Sequence, residues 1–327
     1  MINILFIAYG VLGDHIICFK SLQLLKEKYT DCNITFVGEP KFAEIGIKYA
    51  GNIINKVLPY KDFMEYTTQK DYKSVFWEDI FCNSNIIINH RMDDNNYFAN
   101  SIIKKGFNWL RAKQSNIQIN SSSKILVQSK IQNQNRNAYA QVSELVELLG
   151  CTTNCWQTKL SISQEQKNKI FNDVNNFFGT KTKNLIAFHP GSSSVEKNYD
   201  IEKWADIINK IIIKSNSRIL IFIGPNEKKY LSAINLLFDR NKIMLIEKEI
   251  IESIAYLSIC NLFLGHDTGF AHISASLIIP SILLFGKYSK KHWEPPISST
   301  KVIRIDDLQK ANHKEIKNKV LTLAQKA

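Results

Sequence analysis

Three short segments carry residue types whose spacing suits chemistry on a phosphorylated ligand. The first is Gly10-x-x-Gly13-Asp14, directly after an apolar run at the N-terminus. Glycines let a backbone turn sharply and approach a ligand, and a helix that follows presents free N–H groups. A carboxylate there would repel phosphate, so Asp14 has two readings. It caps a helix beginning at His15, or it is a general base placed to take a proton from a hydroxyl. The G-x-x-G spacing is not the G-x-G-x-x-G order of a dinucleotide fold.

The second segment is His189-Pro190-Gly191-Ser192-Ser193-Ser194, followed by Lys197. Glycine and small hydroxyl residues after a strand form a loop open to an anion, and a lysine adds a point charge suited to phosphate. The plainer alternative is a polar turn with a surface lysine. The third is Gly265-His266-Asp267-Thr268-Gly269 with His272 one helical turn on. Backbone N–H groups of Thr268 and Gly269 at a helix start would face a diphosphate. Against this, Asp267 could be an N-cap and His272 a satisfied core histidine. Glu227, just past Gly224-Pro225, is an acid at a strand end, where ribose hydroxyls find an acceptor. Asp93-Asp94 reads as a solvated turn or an acceptor-sugar contact. Lys104, Lys105, Phe107, Trp109, Arg111 and Lys113 interleave as a patch for acidic groups or as one face of an amphipathic helix.

The elements that must position these residues alternate along the chain. INILFIA, NITFVG and NIIINH read as buried parallel strands with helices between them, one helix beginning near Asn95. The polar stretch from 114 to 138 reads as loop and helix start. AYAQVSELVELLG is a helix ending at Gly150. LIAFHPG, RILIFIG, KIMLIE, NLFLGHD and SILLFG then form a second strand series with its own helices. The expectation is an α/β protein of two Rossmann-like domains, parallel sheets facing a cleft, with residues 1–165 and 166–327 as the domains. The last helix, KEIKNKVLTLAQ, shows one small apolar face and is expected to pack back on a domain surface, that of the N-terminal domain included.

Composition narrows the function classes. The 327 residues are 45% apolar and 22% charged, ordinary for a globular chain. No apolar run approaches the roughly 18 residues that span a bilayer, and INILFIAYG lacks the basic start of a signal peptide. Cys151-x3-Cys155 has no second pair to complete a zinc site, and six scattered cysteines suit a reducing cytoplasm. The net charge of +12 favours acidic partners such as phosphorylated glycolipid or an anionic membrane surface, or marks a Lys-rich composition only. No nucleic-acid module is recognisable, and no nucleic-acid partner is expected.

Together AYGVLGDHI, FHPGSSSVEKNYDIEKWADII, IGPNEK and LGHDTGFAHISASLIIPSILLFG resemble glycosyltransferase family 9, the ADP-heptose:lipopolysaccharide heptosyltransferases. The resemblance implies a GT-B fold with the acceptor on the first domain and the nucleotide sugar on the second. It implies that Asp14 is the catalytic base, near Gly10 and Gly13 in the loop at the reaction centre. Ser192, Ser193 and Lys197 would line the donor phosphates, Glu227 the ribose, and Asp267, Thr268, Gly269 and His272 the rest of the donor. Asp93 and Asp94 are candidates for the acceptor. The family's Trp-Pro after the lysine is replaced here by Asn198-Tyr199-Asp200. The implied reaction is inverting transfer of a sugar, heptose from ADP-heptose, to lipopolysaccharide core or a related glycolipid. It takes place in the cytoplasm, with room for peripheral contact at the inner membrane. No protein-bound metal or cofactor is expected, magnesium on the nucleotide being allowed for. The alternatives are another GT-B enzyme, such as a nucleotide-sugar epimerase, and a non-catalytic basic binding protein.

Overall fold

A computed structural model describes residues 1–68, 74–90, 102–110, 119–128 and 137–326. They form two compact units, Met1–Lys159 and Leu160–Ala327. Each unit holds one six-stranded sheet in which every pairing is parallel.

In the first unit the strands are β1 (Ile2–Ile7), β2 (Cys32–Gly38), β3 (Lys56–Pro59), β4 (Ile86–Asn89), β5 (Asn108–Trp109) and β6 (Ile125–Gln128). Their order across the sheet is β3-β2-β1-β4-β6-β5. β1 and β4 are buried along most of their length, which explains their continuous apolar runs. Helix α1 (Leu12–Lys28) is apolar on nearly all sides, burying Ile16, Ile17, Phe19, Leu22, Leu24 and Leu25. It is covered both by the sheet and by helix Ala138–Glu147, against which Ser21 donates to the Val142 carbonyl at 3.1 Å. A small residue at that crossing lets the two backbones approach.

Two expectations are corrected here. The stretch 114–138 is not all loop, because Ile125–Gln128 is a four-residue strand buried between β4 and β5. Polar neighbours on both sides hide so short a run. The basic and aromatic residues from Lys104 onward do not share one helix face, because the chain turns at Gly106, with φ +85°, into β5. Phe107 enters the core and Lys105 pairs with Glu78. Arg111, Lys113 and the helix expected near Asn95 lie outside the described residues.

The second unit contains β7 (Leu185–Phe188), β8 (Arg218–Phe222), β9 (Ile243–Ile246), β10 (Leu262–His266), β11 (Ser281–Phe285) and β12 (Thr300–Arg304). The order is β12-β11-β10-β7-β8-β9, so the direction of winding reverses between β7 and β10. Helix Ile201–Ser215 lays Trp204, Ile207, Ile208 and Ile211 on this sheet and is capped by Asp200, which accepts from the Glu202 and Lys203 N–H groups. The last helix, His313–Ala324, adds Ile316 and Val320 to the same core and packs on helix Ile201–Ser215 of its own unit.

Helix Gly269–Ser276 ends in an unusual conformation. Ile278 has φ +61°, and its N–H reaches the Ala275 carbonyl at 3.0 Å while that of Ile279 reaches Ser274 at 2.9 Å. That left-handed turn suits glycine and strains a β-branched residue. The side chain is 64% exposed, so little burial is lost by removing it. Ile278→Gly is expected to stabilise the protein by about 1 kcal/mol, net of the extra freedom glycine gives the unfolded chain. Thermal denaturation should show a midpoint higher by ~2–4 °C; a lower midpoint would mean the turn is not strained.

Candidate functional site

The two loops of the second unit that carry most candidate residues leave adjacent strands at their carboxyl ends. Phe188 of β7 is in register with Leu264 of β10. This is the point where strand order reverses, the place where open α/β sheets bind ligands. The loop after β7 runs from His189 to a short helical turn, Val195–Lys197. The loop after β10 runs through Asp267 and Thr268 into helix Gly269–Ser276.

Lys197 Nζ meets Asp267 Oδ2 at 2.8 Å, the lysine half-buried and the aspartate buried. Asp267 is therefore not an N-cap; Thr268 stands in that position. Thr268 makes no capping bond, and its Oγ1 is buried without a partner. The first N–H groups of the helix have no carbonyl to bond within it. A buried hydroxyl without a partner, at the start of an uncapped helix and beside the Lys197–Asp267 pair, offers the kind of donors that an anionic oxygen accepts from. His272 lies one turn further, and burial lowers its pKa to about 4.

Glu227 sits just past β8. Its Oε2 accepts from the Gly224 N–H at 3.1 Å. A Cβ on Gly191 would lie 2.1 Å from its Oε1, so any larger residue in the β7 loop would have to push the Glu227 carboxylate from its place. Burial raises the Glu227 pKa and lowers that of His189 to about 4. The 3.7 Å contact of His189 Nε2 with Glu227 is thus no ion pair at neutral pH. His189 Nδ1 bonds the Gly191 carbonyl at 3.1 Å, and its ring stacks on Phe270 at 4.8 Å. Ser192 Oγ donates to the Ser194 carbonyl at 2.7 Å and shapes the loop from within, whereas Ser193 is exposed.

Sequence reasoning passed over His266. Its Nε2 accepts from the Tyr199 N–H at 2.9 Å and from Trp204 Nε1 at 3.1 Å. Burial keeps this ring neutral, with a pKa of about 3. His266 joins the Lys197 loop to the residue before Asp267. The only signal in the sequence was its place at a strand end, beside residues that looked more reactive.

In the first unit, Asp14 is in the first turn of a helix that begins at Leu12, not at His15. Its Oδ2 accepts from the Val11 N–H at 2.7 Å, and it is half-buried. Gly10 has φ +118°, and a Cβ there would fall 2.1 Å from Asp14 Oδ2. Glycine is required both for the turn and for the carboxylate. Gly13 is buried in the same turn. His15 Nδ1 donates to the Val11 carbonyl at 3.1 Å and Nε2 accepts from the Glu39 N–H at 3.0 Å, which fixes its tautomer. Beneath lie Cys18 and His90, 3.3 Å apart, the thiol pKa raised by burial and then by the Asp14 charge. Asp93 and Asp94 lie outside the described residues. Of the C-x3-C pair, Cys151 is buried and Cys155 exposed, and both are free. Among the described residues no three His, Cys, Asp or Glu gather as a metal would need, and no helix is long and apolar enough to cross a membrane.

Residues 96–323 match the family model described as glycosyltransferase family 9 (heptosyltransferase). Over 113 residues the chain is 34% identical to lipopolysaccharide heptosyltransferase 1 of Campylobacter coli, a match covering 33% of this chain and 33% of that protein. Among solved structures, the glycosyl transferase family 9 protein of Veillonella parvula superposes with a TM-score of 0.74 at 16% identity, over 99% of this chain and 97% of the other. The ADP-heptose LPS heptosyltransferase II of E. coli gives 0.70 at 12% identity, over 99% of each chain. An E. coli heptosyltransferase solved with ADP gives 0.68 at 14% identity, over 98% of this chain and 100% of the other. The fold is therefore GT-B, with both Rossmann-like sheets present.

Five histidines, His15, His90, His189, His266 and His272, are buried with pKa values of about 4, or about 3 for His266, against 6.5 when exposed. The unfolded chain binds more protons, so their contribution to stability is complete above pH 6.5 and is lost as pH falls toward 4. Each adds up to about 1.4 kcal/mol per pH unit in that window. Urea midpoints at pH 7.5, 6.0 and 5.0 should fall steeply below 6.5, above the range where carboxylates titrate. A flat profile down to pH 5 would mean these rings are not held neutral.

Proposed function

We infer the reaction from one premise: the chain belongs to glycosyltransferase family 9, whose model spans more than half of its length. The reaction is inverting transfer of a sugar from a nucleotide diphosphate to a glycolipid hydroxyl, the donor ADP-heptose and the acceptor lipopolysaccharide core or a related surface glycolipid. The second unit holds the donor and the first the acceptor. The observation that carries this reading is the arrangement at the β7–β10 switch point. There a paired ammonium, an unsatisfied buried hydroxyl and a helix N-terminus stand together.

The diphosphate gains negative charge as it leaves. Lys197 and the backbone N–H groups at Thr268 and Gly269 stabilise that charge in place, without reorganising at the moment of reaction. Asp267 holds the ammonium at the site before the donor arrives. Ser192 shapes the phosphate loop and Ser193 faces solvent, where it can reach a phosphate oxygen. Glu227 accepts from the ribose, and His272 lines the floor of the donor segment.

Asp14 acts as the general base. It removes the acceptor proton as the oxygen attacks the anomeric carbon on the face opposite the diphosphate. Capping and catalysis coexist here, because the bond from Val11 fixes the carboxylate without neutralising it. Magnesium, if it takes part, comes with the nucleotide. The net charge of +12 suits an acceptor that carries phosphate and a peripheral encounter with the inner membrane from the cytoplasm.

Thermal unfolding with ADP, UDP, GDP and CMP in parallel tests the donor. ADP at about 100 times its dissociation constant should stabilise the protein by ~2.7 kcal/mol, and Lys197→Ala should lose most of that shift. A selective shift with UDP or GDP would keep the reaction class and reject the heptose donor. Asp14→Asn should cut turnover by about 100-fold or more while keeping the ADP shift; near-normal turnover would leave Asp14 a helix cap alone. Product formed from the donor without any acceptor would point to an epimerase instead.

A further inference from the structure

Lys197 is held in place from outside its own loop. The two residues after it, Asn198 and Tyr199, are buried, and each makes two bonds to residues outside the loop. Asn198 Nδ2 donates to the Tyr230 hydroxyl at 3.0 Å, and the Asn198 carbonyl accepts from Gln309 Nε2 at 2.9 Å. The Tyr199 N–H goes to His266, and its hydroxyl lies 2.8 Å from His313 Nδ1. His313 opens the last helix, and its Nε2 is 2.6 Å from Asp206 Oδ2, the oxygen that Lys317 Nζ also reaches at 2.5 Å. Lys317 and His313 hold the Asp206 pKa below its usual value.

Carboxylate, imidazole and hydroxyl in line have the outline of a nucleophile triad, but the chemistry does not follow. Tyr199 is 2% exposed, so no substrate reaches its oxygen, and burial raises the phenol to about 12. With Nε2–H directed at Asp206, His313 Nδ1 is an acceptor, and Tyr199 donates to it. The line is a strut, anchored at one end by a carboxylate and ending on the segment that carries Lys197.

We propose that Tyr199 and His313 are positioning residues for Lys197, through which the last helix sets where the ammonium meets the donor diphosphate. This rests on the donor-site reading above. Tyr199 is the shared member: its backbone bonds His266, whose neighbour in sequence is Asp267, the partner of Lys197. One residue thus sets the spacing of both halves of the ion pair. Ile316 and Val320 already dock the last helix in the core, so docking does not need the His313–Tyr199 bond.

Calorimetric ADP binding and thermal midpoints of Tyr199→Phe, His313→Ala, Lys197→Ala and both double variants with Lys197→Ala test this. Tyr199→Phe keeps the ring and removes only the hydroxyl. It should weaken ADP by about fivefold or more with a midpoint near that of the parent, and His313→Ala should weaken it similarly. In the Lys197→Ala background neither should weaken ADP further. Unchanged affinity in Tyr199→Phe overturns the proposal, as does a loss that persists without Lys197. A lower midpoint in His313→Ala with normal binding in Tyr199→Phe means helix docking only, and also overturns it. If Lys197→Ala itself binds ADP normally, the donor-site reading fails first and takes this proposal with it.

Discussion

Two N–H donors, from the Tyr199 backbone and the Trp204 indole, converge on a single imidazole nitrogen of His266. That nitrogen can accept only while it carries no proton. Burial at the end of β10 keeps it so, because the charged ring would lose its hydration and gain no counter-charge. Much of the site at the β7–β10 switch point hangs from this acceptor. On one side the Lys197 loop is pinned to the sheet. On the other the chain passes directly to Asp267. Trp204, fully buried under the sheet, ties the same nitrogen to the core. The position of Lys197 thus depends on the packing of one helix on one sheet.

The first unit solves a similar problem with different groups. There too an imidazole is held neutral and its tautomer is fixed by one donor and one acceptor, His15 between Val11 and Glu39. That ring joins the loops after β1 and β2 and so steadies the turn carrying Asp14. The carboxylate presses so closely on Gly10 that no side chain fits. In the second unit Glu227 presses on Gly191 in the same way. In each unit a carboxylate oriented by a backbone N–H takes the space a glycine's Cβ would fill, and at Gly10 the positive φ calls for glycine as well.

Most of this was legible where a residue's role is local. The apolar strands from INILFIA to SILLFG are found where their continuous runs place them, since parallel strands covered on both faces need no polar alternation. Asp14, Lys197, Glu227 and Asp267 stand in or beside the turns at strand ends that glycine already marked in the sequence. Short or edge strands such as Lys56–Pro59, Asn108–Trp109 and Ile125–Gln128 were missed, as two to four residues carry too little periodicity. The Lys197–Asp267 pair, the bonds to His266 and the reach of His313 to Tyr199 and Asp206 join residues 62 to 114 positions apart in sequence. No local pattern encodes them.

The presence of a phenol at Tyr199, and of an asparagine before it, gains a physical reading from those long-range contacts. An indole offers one donor and no acceptor. A phenol can donate to His313 while its backbone serves His266, and the asparagine adds a carboxamide that bonds Tyr230. Proline in this segment would remove one backbone N–H, and a proline at 199 would remove the donor that His266 receives. Directed bonds therefore hold this segment, two of them to the last part of the chain, Gln309 and His313. In water such bonds would contribute little. In a segment buried as Asn198 and Tyr199 are, each bond left unmade would cost about 1–3 kcal/mol, and Asn198 Oδ1 is already buried without a partner, so the bonds that are made to Tyr230, Gln309, His266 and His313 matter the more.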